Sequence, residues 1–433
     1  MTRHQYRRKI YNRVVLPGVY GLAHVAAAFR PKLRASLAER KGVNERWLAA
    51  GKTMTERPIW FHVASVGEYE QARPLITALG RTRPEIPVVI SFTSPSGFHY
   101  ARTKEQTDGA DNVRFVDYLP IDFADNIRLC LQALDPRLLV FVKFDLWPNL
   151  VWESAEGGVP MVLIDATLSE TSNRYRAFGR RFYDSVYEKL DKILAISDLD
   201  AQRFRECVPG HPGIAVAGDT RFDRVMERKR ALGRSSGQVD KNGRLVVLAG
   251  STWPKDEVHL LGALARVTKA SNDILTVIAP HEPAEERVAD LMEWAAANSL
   301  RAVTLGAIGA EDHRTGGEQV VVVDSVGVLA ELYESADLAY VGGSFSSGVH
   351  NVIEPAIMGI PVLFGPVNKN SFEALELLRN DAAIQVETEK DIFDALSTLL
   401  RDDGKRADMG RRARAFVESH LGATDRCLSA IQE

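Results

Sequence analysis

Two glutamates stand where a carboxylate can do chemistry: Glu68 in FHVASVGEYEQARPLITAL and Glu354 in ADLAYVGGSFSSGVHNVIEPAIMGIPVLFGP. Each lies three residues behind a capping side chain, Ser65 or Asn351. Each therefore fits a helix N-terminal box, in which the cap oxygen takes the N3 amide and the glutamate reaches back to the cap amide. Each also follows an apolar run and a glycine, the strand-end position where open parallel sheets bind ligands. Glu68 thus reads as either a cap or a proton acceptor. Around Glu354, the pair Gly342-Gly343 lets backbone approach a ligand closely, Ser344 opens a Ser/Gly loop, and a helix start over Asn351, Val352 and Ile353 suits a phosphate. Glu354 then reads as an acceptor for the two hydroxyls of a ribose.

Such residues need strand ends to hold them. IWFHVAS, VVISFTS, VRFVDYLP, LLVFVKFD, PMVLIDAT and KILAISD are apolar runs ending in polar residues, separated by helical patterns, which is the rhythm of a buried parallel sheet. A charged stretch, 226–243, lacks an apolar face and reads as an interdomain connection. RLVVLAGS, ILTVIAP, VVVVDS, DLAYVGGS and PVLFGP then repeat the pattern. We expect two Rossmann-like, doubly wound α/β domains facing a central cleft. Their bounds are 47–232 and 233–410, with a C-terminal helix over 411–433 that can pack back on the first. A chain of 433 residues is long enough for two such cores.

Composition excludes several classes. A formal charge of -3 gives no whole-chain reason to expect nucleic acid. Neither a G-x-G-x-x-G before a helix nor a G-x-x-x-x-G-K-[ST] loop is present, which argues against dinucleotide oxidoreduction and P-loop hydrolysis. Cys130, Cys207 and Cys427 are too few and too scattered for a disulfide framework or a zinc site.

Residues 1–46 differ from the rest. Eleven Lys and Arg residues face only Glu39 and Glu45, and between the basic clusters lies VVLPGVYGLAHVAAAF, Val14 to Phe29. That segment is shorter than the roughly 20 residues of a spanning helix and is interrupted by Pro17, Gly18 and His24. It reads as a membrane-associating arm that inserts into an anionic leaflet, with a spanning helix, a cleaved signal peptide and an ordinary packed helix as the alternatives.

The ordered set SVGE, KFDLWPNL, AGDTRFD, AGSTW, PHEP, DSVGVL and GGSFSSGVHNVIEPA resembles the bacterial 3-deoxy-D-manno-octulosonic acid (Kdo) transferases along nearly the whole chain. The resemblance implies a GT-B glycosyltransferase that moves Kdo from CMP-Kdo to a lipid A precursor at the cytoplasmic face of the bacterial inner membrane. It implies no metal and no cofactor. Carried over by residue, Glu68 is the general base that deprotonates the acceptor hydroxyl in an inverting transfer. Arg221 occupies a position where relatives often have Lys, and supplies positive charge for the departing nucleotide. Lys143 pairs with the acceptor phosphate or the Kdo carboxylate, the alternative being an ion pair with Asp145 or a neighbour. On the donor side, Ser251 and Thr252 hold phosphate or carboxylate, or serve only as another cap, and Pro280-His281 and the loop Ser325, Val326, Gly327, Val328 neighbour the nucleotide. His281 stands where many relatives have Arg, and Val328 where many have Glu, so the backbone of that loop is the more secure contact. On the acceptor side, Ser65, Gly67, Ser94, Ser96 and Gly97 form strand-to-helix turns that can grip sugar or phosphate, or serve only as turns. Two other classes stay open: a GT-B transferase or epimerase acting on a UDP-sugar, and a non-catalytic, membrane-docked binding protein.

Overall fold

The computed structural model describes residues 3–108, 110–232, 239–310 and 317–432. The chain folds as two compact units, residues 1–224 with 421–433, and residues 225–420.

In the first unit, seven parallel strands follow from the apolar runs: β1 (Ile59–Val63), β2 (Val88–Phe92), β3 (Val113–Tyr118), β4 (Leu138–Val142), β5 (Met161–Ala166), β6 (Lys192–Ala195) and β7 (Ile214–Val216). Their order is β3-β2-β1-β4-β5-β6-β7, so β1 lies between β2 and β4 and the winding direction reverses there. In-register pairs such as Phe61 with Ile90 and with Val140 set the centre of the sheet, where every residue of β1, β2 and β4 is buried. Burial on both faces explains why these strands read as continuous apolar runs rather than alternating ones.

The second unit repeats the plan with β8 (Leu245–Thr252), β9 (Ile274–Pro280), β10 (Ala302–Thr304), β11 (Val320–Val322), β12 (Leu338–Val341), β13 (Val362–Phe364) and β14 (Ala383–Gln385). The order β10-β11-β9-β8-β12-β13-β14 puts the reversal between β8 and β12. Two apolar clusters, one around Leu260, Tyr340 and Leu396 and one around Val246, Val277 and Tyr333, cover the two faces of this sheet.

Three expectations change. The stretch 226–243 is not a loop throughout: Thr220–Leu232 is a helix, residues 233–238 of the expected connection lie outside the described residues, and the units part between Arg224 and Val225. At the far end, the chain returns to the first unit at residue 421, where Gly422 and Thr424 donate their amides to Asp223 (2.7 and 2.6 Å). The basic arm is not a separate body. Helices Arg3–Ile10 and Leu16–Phe29, joined by a π-helical turn over Tyr11–Val15, belong to the first unit. Arg8 pairs with Glu153 (2.5 Å), Tyr11 donates to Asp122 (2.9 Å), and Asn12 and Asn149 exchange amide hydrogen bonds. The opposite face leaves Val19, Leu22, Val25 and Phe29 60, 71, 63 and 82 % exposed. No helix among the described residues is long and apolar enough to cross a membrane.

Candidate active site

The reversal point of each sheet collects the chemistry-bearing residues, as open parallel sheets require. In the first unit, the helix Val66–Thr82 starts at Ser65, whose extended backbone lets its Oγ accept the Glu68 amide (3.4 Å). The Glu68 carboxylate accepts the Ala64 N–H, one residue before the Ser65 amide that a capping box uses. Glu68 is thus a cap of an offset kind, and only 4 % exposed. Burial raises its pKa most; the Ala64 hydrogen bond opposes this, Asp145 adds to it, and His62 and Lys143 oppose it, leaving the pKa above its ordinary value. A carboxylate so placed is a stronger proton acceptor than an exposed glutamate.

Behind Glu68, buried Trp60, Ser91 and His62, which the sequence did not single out, lead to the half-buried Asp145. Trp60 Nε1 donates to Ser91 Oγ (2.8 Å), Ser91 Oγ lies 2.8 Å from His62 Nδ1, and His62 Nε2 lies 3.2 Å from Asp145. Since the indole can only donate, Ser91 is free to donate to Nδ1, which leaves the Nε2 proton for Asp145. Thr93 (3.1 Å) and Trp147 (3.2 Å) also donate to Asp145. Burial alone pushes the Asp145 pKa up, but these three donors outweigh it and hold Asp145 low. The sequence signal was a histidine inside the apolar strand IWFHV.

The alternative in which Asp145 neutralises Lys143 does not hold. Asp145 is committed to His62, Thr93 and Trp147. Among the described residues, Lys143 has no carboxylate within ion-pair distance. Its backbone is left-handed (φ 65°) and its Nζ lies 5.4 Å from the centre of the Phe144 ring. Arg221, by contrast, is not an isolated cation: Nε and Nη2 clasp Asp219 at 2.9 and 2.6 Å. Below that pair, Thr220 Oγ lies 2.5 Å from Asp165 and 2.7 Å from the Gln71 carbonyl. One hydroxyl proton cannot serve both acceptors, so a protonated Asp165 supplies the second. Burial and the Asp219 charge push Asp165 up accordingly.

Of the expected acceptor contacts, Ser94 accepts the Gly97 amide (3.0 Å) as a cap, and a side chain at Gly97 would strike Phe92. Gly67 and Ser96 are exposed, and Ser96 Oγ lies 3.4 Å from Ser94 Oγ.

In the second unit the expected phosphate loop is used internally. Gly342 donates to the Gly250 carbonyl (2.9 Å), and Gly343 (2.8 Å) and Phe345 (3.2 Å) donate to Asp256. Ser344 is fully buried and accepts the Gly365 amide (2.6 Å). These groups therefore shape the loop rather than present donors. Asp256, three residues after Trp253, also takes the Trp253 amide (2.9 Å) and Tyr340 (3.2 Å), a role the sequence reading missed. Thr252 is likewise committed, donating to Glu257 (2.8 Å), while Ser251 adopts φ 54° at the strand end.

The Asn351 cap is also corrected. Val352 occupies the N-cap position of the short helix Ile353–Met358 without a side-chain cap, Asn351 accepts the Ile353 amide (3.0 Å) as a local turn, and Glu354 pairs with Arg228 (2.9 Å) instead of reaching back. Gly359 ends the helix in the left-handed region, as its glycine implies. Donors that stay open lie elsewhere. Among the described residues, the amides of Ser325, Val326, Gly327 and Val328 have no acceptor, in an exposed loop after β11 where Val326 is 77 % exposed. Pro280 ends β9, and His281 is exposed and donates its amide to Thr252 (3.0 Å). Among the described residues, no group of three His, Cys, Asp or Glu could hold a metal.

Two doubly wound parallel sheets, each with polar residues gathered at its reversal point, define a GT-B-like α/β protein. UDP-GlcNAc 2-epimerase from Neisseria meningitidis shares this fold, with a TM-score of 0.62 and 12 % identity over 87 % of this chain and 100 % of that one. The model of the 3-deoxy-D-manno-octulosonic-acid transferase (kdotransferase) family matches residues 35–224. A 3-deoxy-D-manno-octulosonic acid transferase of Chlamydia muridarum is 30 % identical over 367 residues, 83 % of this chain and 82 % of its own. That of Bordetella pertussis is 29 % identical over 391 residues, 87 % of each. The chain belongs to the 3-deoxy-D-manno-octulosonic acid transferase family and is a glycosyltransferase.

Proposed function

We propose that the protein transfers Kdo from CMP-Kdo to a lipid A precursor with inversion at the anomeric carbon, using Glu68 as the base. The observation that carries this reading is Glu68 itself: a buried carboxylate of raised pKa at the reversal point, flanked by the cation Lys143. In the transfer, Glu68 leaves the Ala64 amide and takes the proton of the acceptor hydroxyl as it attacks the anomeric carbon. The nucleotide leaves as an anion and needs donors more than a proton. The open amides of 325–328 support such a role, and Lys143 suits an acceptor phosphate. Glu354, although paired with Arg228, keeps acceptor capacity for ribose hydroxyls.

The exposed apolar face of Leu16–Phe29, with Arg13, Arg30, Lys32 and Arg34 exposed around it, supports docking on an anionic leaflet. We propose that this leaflet is the cytoplasmic face of the inner membrane.

The test combines CMP-Kdo, a tetraacylated lipid A precursor and the purified protein, with products resolved by mass. A Kdo-extended product is expected. Binding of UDP in preference to CMP, with no product, would replace this reading by one of a UDP-sugar enzyme. Vesicles with anionic lipid should retain the wild type and release a variant carrying Val19, Leu22, Val25 and Phe29 all changed to Ser. Retention of the variant would move the contact elsewhere.

A further inference from the structure

At the reversal point of the second sheet, Trp253 and His350 form one flat plate. Their rings are 8° from coplanar with centres 6.3 Å apart, joined edge to edge by a hydrogen bond from Trp253 Nε1 to His350 Nε2 (2.8 Å). His281 stacks on both, 4.7 Å from Trp253 and 4.5 Å from His350. Gly343 leaves room for the plate, since a Cβ there would run into the His350 ring.

The indole nitrogen has a proton and no acceptor capacity, so His350 Nε2 must offer its lone pair and the imidazole must be neutral with its proton on Nδ1. Among the described residues that Nδ1–H has no partner. The charged and titratable groups facing His350 are Asp256, on the helix Pro254–Ala270, and His281, after β9. Burial and His281 hold the His350 pKa below its ordinary value, against Asp256. A neutral donor of fixed direction is thus built beside Ser251 and the Gly343 loop. His350 follows directly on the segment Gly342–Val349, yet neither composition nor spacing marked it.

We propose that His350 is a donor-binding residue: Trp253 locks its tautomer so that Nδ1–H donates to an anionic oxygen of the sugar nucleotide, a phosphate or a carboxylate. The proposal rests on the CMP-Kdo reading and deepens it. A locked neutral donor binds an anion with a strength that does not change as pH crosses the ordinary histidine range, unlike an imidazolium.

The test is calorimetric binding of cytidine, CMP and CMP-Kdo to the full chain, with melting curves as the check on folding. His350→Ala should weaken CMP-Kdo by about 10- to 100-fold, the worth of one hydrogen bond to a charged oxygen. His350→Asn, whose amide nitrogen falls near the Nδ1 position, should restore most of it. Equal loss with CMP but not cytidine assigns the phosphate; loss with CMP-Kdo alone assigns the carboxylate. In Trp253→Phe the lock is gone, so the ratio of its affinity to that of the wild type should rise as pH falls from 8 to 6. Folded Ala and Asn variants that bind like the wild type, or lose affinity equally, would overturn the proposal, as would a pH-independent ratio for Trp253→Phe. A wild type that binds neither CMP nor CMP-Kdo would instead sink the CMP-Kdo reading itself.

Discussion

The two reversal points use a buried carboxylate in opposite ways. In the first unit, Glu68 has one backbone donor, and its pKa rises because burial is incompletely compensated. In the second, Asp256 is surrounded by four donors: the amides of Trp253, Gly343 and Phe345 and the Tyr340 hydroxyl. A carboxylate with one donor keeps acceptor capacity for an incoming hydroxyl, whereas one held by four donors is spent on fixing a loop. The difference separates a site suited to chemistry from one suited to recognition, although the two sheets are wound on nearly the same plan.

The largest test of that contrast is Glu68→Gln. An amide keeps an oxygen for the Ala64 N–H but cannot accept a proton, so turnover should fall at least about a hundredfold with a near-normal melting temperature. Because the folded pKa of Glu68 is raised, its contribution to stability is present at low pH and is lost as pH rises through that pKa. The wild type should therefore lose more stability than the variant between acidic and neutral pH, as thermal melts across pH would register. Unchanged turnover would reduce Glu68 to a cap.

Asp256→Asn should have the reverse signature. Its new NH2 faces only donors, so the second unit should lose about 2–4 kcal/mol in denaturant unfolding. Equal stability would mean that the loop does not depend on the carboxylate.

A third pair sharpens the electrostatics around Glu68. Lys143 lowers the Glu68 pKa and Asp145 raises it. Lys143→Met should move the acid limb of the pH–rate profile to higher pH, and Asp145→Asn should move it to lower pH. Shifts in the same direction would show that Glu68 does not set that limb.

The smallest effect belongs to Ser344→Ala, which leaves the Gly365 amide without its acceptor and should cost about 1 kcal/mol. A loss of CMP binding without loss of stability would instead mean that Ser344 meets the ligand.

Much of the fold was legible because buried parallel strands print themselves as apolar runs. The central strands of both sheets were readable, while β7, β10 and β14, of three residues each, were not. These short strands gain their pairing from a neighbour rather than from a run of their own. The SVGE box was also legible as a helix start, since capping is local, whereas Asn351 of HNVIE makes only a turn one residue ahead of the N-cap position.

What a box does with its glutamate was not local. Glu68 turns to Ala64 and Glu354 to Arg228 because burial and a cation brought near by folding compete with the cap amide. In the same way His62 meets Ser91 and Asp145, and Trp253 meets His350, across separations of 29, 83 and 97 residues. The sequence by itself determined the central strands, the turns after them and the family, because those depend on neighbours in the chain. Which polar groups are spent inside the protein and which stay open to a ligand was decided only when strand ends distant in sequence converged, since a buried donor or acceptor takes whatever partner the fold places beside it.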